Sequence, residues 1–377
     1  MHNATDLSEH TPLTGIDEYP IHQFPEPIRI VASSDPRVFE RYWFTAADDK
    51  GEVYLVTGLG FYPNLGTADA HAILVHDNVH TTVRAHRLLG DDRTDISVGP
   101  IRAEIIEPFR EWRLTLGDNP QGLRFDLRWR DTKRAQFQRL MGQFFPTNMN
   151  GRLSQDWAGY ETFGTIEGTI EYQGKQFELK PSRFRGSRDH HWGNRDGVGG
   201  PGHMLEHSRT THLGQWVEFG DWSIWGVRVL YNLGDRRPRF DKIIPVDHKL
   251  RFDPVNKHLI GGVIRNMLAE TKEIREVTYE QIGNQVAYLR CGMYDGPTGG
   301  TPEENYYHGT YVGDGVVGGE TYDLTDPRVR AHIAGFEDHL CKATCNGETV
   351  VGILECKNPI LYEMCRDGFP GFSLLEE

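Results

Sequence analysis

The densest chemistry in this 377-residue chain lies in fourteen consecutive residues, FRGSRDHHWGNRDG, from Phe184 to Gly197. The stretch holds two histidines, two aspartates, three arginines and a tryptophan. Asp189 sits between Arg188 and His190, with Trp192 three residues on. A carboxyl group in water titrates at about 3.9 and is no acid at neutral pH. Burial against aromatic surface raises that value and can keep the group protonated, and a neighbouring histidine can recharge it. Arginines pull the other way by favouring the anion. Two readings therefore stand: Asp189 as a general acid, or Asp189 paired with Arg185, Arg188 or Arg195 to pin a strand.

Other chemistries fit less well. His190, His191, His203, His207 and His212 fall close together, and His203 and His207 have the four-residue spacing that aligns two zinc ligands on a helix. The surrounding GGPGHMLEHSRTTHLGQW is glycine-rich and then strand-like, and HExxH is absent. Hydrogen-bonding histidines around a pocket are expected there, with no metal. No GxSxG elbow, no GxGxxG after a strand and no GxxxxGK[ST] occurs, so a serine nucleophile, a dinucleotide and a bound nucleotide phosphate are not expected. No cofactor is called for. The five cysteines, Cys291, Cys341, Cys345, Cys356 and Cys365, include no CxxC and read as buried thiols.

The elements that must position these groups are strands. In EWRLTLGDNPQGLRFDLRWR, Trp112, Leu114 and Leu116 share a face, a DNPQG turn follows, and Leu123, Phe125, Leu127 and Trp129 share a face on the return. GTIEGTIEYQGKQFELK repeats the pattern, with a Gln-Gly turn before Phe177 and Leu179. Further strands are expected at VYLVTGLGFY, HAILVH, QWVEFGDWSIWGVRVLYNL, VTYEQIGNQVAYLRCGMY and ETVVGILEC. Helices are few. DPRVRAHIAGFEDHL, residues 326–340, offers a capping Asp326, Pro327 in the first turn and an apolar stripe of Val329, Ile333, Phe336 and Leu340. KRAQFQRLMGQFF is a weaker candidate.

The run GYETFGTIEGTIEYQGKQFELKPSRFRGSRDHHWGNRD resembles the carotenoid 1,2-hydratase (hydroxyneurosporene synthase) and AttH-like superfamily. A hairpin there leads to a glycine and then to D-H-x-W-G, which falls here on Gly186, Asp189, His190, Trp192 and Gly193. The middle position, often Asn or Ser in relatives, is His191. The resemblance implies two lipocalin-like antiparallel β-barrels or sandwiches in tandem, an all-β fold. It also implies hydratase or cyclase chemistry on apolar polyenes and terpenoids. Hydratase-type members carry an aromatic-x-acid pattern on the next strand. This chain offers Trp216-Val217-Glu218 and Phe219-Gly220-Asp221, so Glu218 and Asp221 join Asp189 and His190 as catalytic candidates. Protonating an alkene needs a dry, well-aimed acid, and aromatic faces stabilise the cation that follows. His191, Trp192, Trp216, Phe219, Trp225 and Tyr307 are the expected substrate-binding residues, although a barrel needs large side chains inside it in any case.

Bulk properties set the frame. The net charge of −13 argues against nucleic acid as a partner. No stretch reads as a membrane span or a signal peptide, so a cytoplasmic location is expected. The expected organisation is a flexible arm over 1–23, a first β domain over 24–180 and a second over 181–377, carrying the helix at 326–340. The expected function is a cofactor-independent acid–base enzyme, a lyase or isomerase, acting at a C=C bond of a terpenoid, steroid or polyketide-like molecule. A non-catalytic carrier of hydrophobic small molecules and a metal-dependent hydrolase are the alternatives.

Overall fold

The computed structural model describes residues 13–140, 156–200, 210–220, 222–231, 243–268, 271–294, 307–358 and 360–375. Strands make up 58% of it and helices 7%, so the all-β expectation holds, in two curled half-barrel sheets. The first half of the chain supplies β1 (Val38–Asp48), β2 (Val53–Tyr62), β3 (Thr67–His76), β4 (Val79–Leu88), β5 (Ser97–Val98) and β6 (Ile101–Glu107). It continues with β7 (Glu111–Leu116), β8 (Arg124–Asp131), β9 (Gln136–Leu140), β10 (Asp156–Tyr172), β11 (Lys175–Leu179) and β12 (Phe184–Asn194). Then come β13 (Thr210–Glu218), β14 (Ser223–Tyr231), β15 (Ile243–Phe252), β16 (Leu259–Leu268) and β17 (Ile274–Tyr288). The last are β18 (Val316–Asp323), β19 (Phe336–Cys345), β20 (Glu348–Lys357) and β21 (Phe372–Leu374).

The first sheet joins β1–β12 with β18, which pairs with β4. The second sheet runs β14-β13-β20-β19-β17-β16-β15-β21. The strands on either side of residue 180, β11 and β12, both pair with β10 in the first sheet. The two hairpins read from the sequence form in register, Leu114 opposite Leu127 and Ile170 opposite Phe177. Gln173 and Gly174 both take positive φ, 49° and 75°, as a tight two-residue hairpin turn requires.

Two expected helices come out differently. α1 spans Pro327–Ile333 only, with Asp326 accepting the backbone N–H of Arg328. Phe336 and Leu340 lie on β19 instead, which pairs along its length with β20 and over much of it with β17. Two ladders of hydrogen bonds outweigh one more helical turn on an apolar stripe. In KRAQFQRLMGQFF, Gln136–Leu140 is β9, paired with β10, and the residues after Leu140 lie outside those described. A short helix α2 (Ile360–Arg366) follows β20, and no helix among the described residues is long and apolar enough to cross a membrane.

Three cores follow from strand alternation. Phe44, Leu55, Trp112 and Trp129 fill the first sheet's concave side. Val217, Leu354 and Cys341 fill the second sheet's. Their immediate neighbours Trp43, Tyr54, Trp216, Ile353 and Leu340 pack between the two sheets. The shared strands are thus buried on both faces, and all ten residues of β2 are buried.

Candidate active site between the sheets

β12 lies between β1 and β10, so every side chain of the DHHW run has a neighbour on both sides. Asp189 is opposite Trp43 and Glu161, His190 opposite Tyr42 and Tyr160, and His191 opposite Arg41 and Gly159. Two glycines make room. A Cβ on Gly186 would stand 1.8 Å from the Thr45 carbonyl oxygen, and one on Gly159 would stand 2.0 Å from His191 Cδ2. Gly159 therefore leaves the space that the His191 ring fills.

Successive strand residues face opposite ways. Asp189 and His191 look into the space between the sheets, whereas His190 and Trp192 look the other way. The histidine at Asp189 is therefore His191, not His190. Its Nδ1 lies 3.3 Å from Asp189 Oδ2, and its Nε2 lies 3.8 Å from Glu161 Oε1. Glu161 is 1% exposed, and its other oxygen accepts the Trp216 indole N–H at 2.5 Å. The second sheet adds two more acids, because Asp338 on β19 is opposite Glu355 on β20. Asp338 is fully buried. Burial first, then the Glu355 charge and that of Asp189, push its carboxyl well above the usual carboxylate range. The same acids and the same burial raise the Tyr54 phenol beside them.

Below this layer is a cleft of about 490 Å³. Phe163, Trp216, Leu340 and Ile353 give it an apolar wall, and Arg183, Arg185, Lys133, Glu218 and Glu348 give it a charged rim. Leu340 and Ile353 are also opposite one another, two residues along from Asp338 and Glu355 and on the same faces. The acid pair thus begins one pleat, about 7 Å, beyond the wall. Trp216 belongs to both, lining the cleft with its ring and holding Glu161 with its N–H.

Of the other expected residues, Glu218 sits on the rim, accepting from Thr132 Oγ1 and Arg185 Nη1 at 3.0 Å each. Phe219 borders the cleft and stacks on Trp222 at 4.9 Å. Trp225 packs against the inter-sheet core. Tyr307 lines neither the cleft nor the groove described next, and its backbone N–H donates to Thr310 Oγ1. Asp221, His203 and His207 lie outside the described residues. On the far face of β12, His190 stacks on Tyr42 at 4.0 Å and meets Glu40 Oε1 at 2.9 Å. Trp192 is 37% exposed there, edge-on to Tyr160 and near the exposed Phe137. Both line a second cavity, an open groove of about 530 Å³.

The sequence reading missed Glu161, Asp338 and Glu355. Their signal is an acid on an otherwise apolar strand face, as in Trp157, Glu161, Phe163. Glu161, Asp189 and His191 also each bring one ligand atom within 4.8 Å of the others, and the buried His191 Nε2 makes no hydrogen bond with the described residues. This trio could hold a divalent cation, and it is not the histidine spacing that the sequence singled out.

Residues 13–225 match the sequence profile of a family of unknown function, DUF8625. A search of curated proteins by sequence finds no match. Among solved structures, a provisional AttH from Nitrosomonas europaea is similar at 12% identity and a TM-score of 0.47, over 90% of this chain and 98% of that one. CghA with Sch210972 is similar at 10% identity and 0.48, over 85% and 88%. Kievitone hydratase from Nectria haematococca is similar at 10% and 0.39, over 84% and 88%.

Proposed function

We propose that this chain, which belongs to the family of unknown function DUF8625, is a general acid–base enzyme acting at a C=C bond of an apolar small molecule between its two sheets. The observation that carries the reading is the fully buried Asp338 carboxyl set opposite a second acid, Glu355, which with burial pushes it well above the usual carboxylate range. An acid of this kind, dry and beside the Tyr54 phenol, suits protonation of carbon. The resemblance of the D-H-x-W-G run to the carotenoid hydratase and AttH-like group supports the same choice.

The step balances without a redox partner. Asp338 gives its proton to one alkene carbon, the π bond breaks, a C–H bond forms and Asp338 becomes a carboxylate. The carbocation left behind faces the indoles of Trp43 and Trp216. It either takes the oxygen of water, whose proton passes to the Asp189–His191 pair, or loses a neighbouring proton to that pair and so shifts the double bond; the pair then returns a proton to the Asp338 carboxylate beside it. A substrate seated in the cleft reaches the acids with the end that passes Trp216.

A carrier is the second reading, and one feature favours it. The wall of Phe163, Trp216, Leu340 and Ile353 stands between the cleft and the acids. The test starts from the organic molecule that copurifies, identified by mass spectrometry. Incubated in D₂O with the wild-type protein, it should gain carbon-bound deuterium. Asp338→Asn should cut the rate by roughly a hundredfold or more, the scale of a lost general acid. A bound molecule that takes up no deuterium makes the protein a carrier. Stoichiometric metal on the purified chain, with exchange abolished by chelation, would instead give the chemistry to Glu161, Asp189 and His191.

A further inference from the structure

The groove on the opposite face of β12 has its own chemistry. Val31, Val38 and Pro63 give it apolar walls, and Glu40, Arg93 and His190 meet along it. Glu40 is held from two directions: Oε1 meets His190 Nε2 at 2.9 Å, and Oε2 accepts from Arg93 Nη2 at 3.3 Å. Burial works to raise the Glu40 carboxyl, but the hydrogen bond from His190 outweighs it, with Arg93 adding to the same pull, and holds it below its ordinary value. Glu40 is thus an anion, cancelled by Arg93.

A carboxylate on one ring nitrogen decides what the other can do. With Glu40 accepting at Nε2, the Nε2 position carries the hydrogen of the neutral ring. Nδ1 is left as a lone pair, and it makes no hydrogen bond with the described residues. The ring cannot turn freely to change this, because it lies flat on Tyr42 at 4.0 Å with Tyr160 edge-on at 5.5 Å. Beside it stands Trp192, 37% exposed and 5.1 Å from the imidazole. The groove therefore presents one hydrogen-bond acceptor, an indole and apolar walls, on a floor without net charge.

We propose that this groove is a second small-molecule site, separate from the inter-sheet cleft, that binds a neutral hydroxylated aromatic ring. The hydroxyl donates to His190 Nδ1 and the ring packs on Trp192. A neutral donor fits better than a carboxylate, because a carboxylate would face the same lone pair and the Glu40 anion behind it.

Equilibrium dialysis with three molecules of one shape tests this: 2-naphthol, 2-methylnaphthalene and 2-naphthoate. The wild-type chain should bind 2-naphthol roughly five- to tenfold more tightly than 2-methylnaphthalene, the scale of one neutral hydrogen bond. 2-Naphthoate should bind weakest. His190→Phe keeps a ring on Tyr42 and should erase the naphthol preference. Glu40→Gln should reduce it without removing His190, and so covers a His190 variant that fails to fold. Trp192→Leu should weaken both neutral molecules, and Trp216→Phe should leave them unchanged. Equal binding of naphthol and methylnaphthalene overturns the proposal, as does tightest binding of naphthoate. Loss of binding in Trp216→Phe but not in Trp192→Leu would place the molecule in the cleft, and the proposal would fall.

Discussion

The two faces of β12 treat carboxyl groups in opposite ways. On the inter-sheet face Asp338 is pushed up, and on the groove face Glu40 is pulled down. Burial acts in the same direction on both. The neighbours differ: Asp338 meets Glu355, a second acid, whereas Glu40 meets His190 and Arg93. One run of four residues, DHHW, thus serves an environment that keeps a proton and one that keeps a charge. Depth of burial and the sign of the nearest partner work together: Asp338 is fully buried beside an acid, whereas the Glu40 side chain is 38% exposed beside His190 and Arg93.

The largest expected effect lies on the His190 side of β12, deep inside the first sheet. Arg188 is wholly buried inside the first sheet and grips Asp131 with two hydrogen bonds, at 2.8 and 2.6 Å. Arg188→Met takes the cation from that buried carboxylate, which keeps its bond from Trp129 Nε1, and should cost on the order of 3 kcal/mol by chemical denaturation. A loss below about 1 kcal/mol would mean that Asp131 finds other partners, and that the His190 side is not braced through this pair.

Gly159→Ala should separate the faces. Its methyl group meets the His191 ring and, at 2.4 Å, the His190 carbonyl oxygen, so the cost is at the upper end of overpacking, about 3 kcal/mol. Deuterium exchange should fall with it, while 2-naphthol binding in the groove stays at the wild-type value. Equal damage to both would show that β12 moves as a unit and that the two sites are coupled.

The pH dependence should distinguish the two acids by sign. The Asp338 value is raised from 3.8, so the folded chain keeps a proton that the unfolded chain sheds. Its contribution to stability is complete below the unfolded value and is lost as pH rises through the folded one. The Glu40 value is lowered from 4.5, so its contribution is present above that value and is lost as pH falls through the folded one. Across melting curves from pH 2 to 8, Asp338→Asn should gain on wild type as pH rises. Glu40→Gln should trail wild type at neutral pH and catch up on acidification. Parallel curves for either variant would remove the contrast.

The smallest effect concerns Glu218, a catalytic candidate by sequence. It sits on the rim bonded to the exposed Arg185. Glu218→Gln keeps an acceptor for Thr132 but weakens the pair with Arg185, and should change stability by about 1 kcal/mol or less, with deuterium exchange within a few fold of wild type. A hundredfold loss would move the acid to the rim.

Much of this was legible. The hairpins declared themselves because alternation and turn residues agree, as in Leu114 to Leu127. The crowding of Asp189, His190, His191 and Trp192 marked the strand on which both proposed sites lie. Their division between two faces was also implicit, since adjacent residues of a strand cannot share a pocket, yet Asp189 and His190 read as partners. Asp338 was hidden because Val329, Ile333, Phe336 and Leu340 fit a helical stripe that long-range pairing with β17 and β20 overrides. Glu161 was hidden for another reason. From Trp157 to Gly164, β10 is buried on both faces except at Tyr160, so no alternation sets its acid apart.

The pairing of β18 with β4 has a consequence for how the protein is made. β4 leaves the ribosome early, but the strand that covers its edge emerges only after β13–β17. Until then the first sheet ends in a ten-residue strand whose backbone donors and acceptors on that side lack their final partner. An open edge of that length is a template for pairing with another chain. Nascent protein stalled before Val316, or a fragment cut there, should therefore aggregate through β4 and depend on chaperones. The finished chain, with β18 in place, should not.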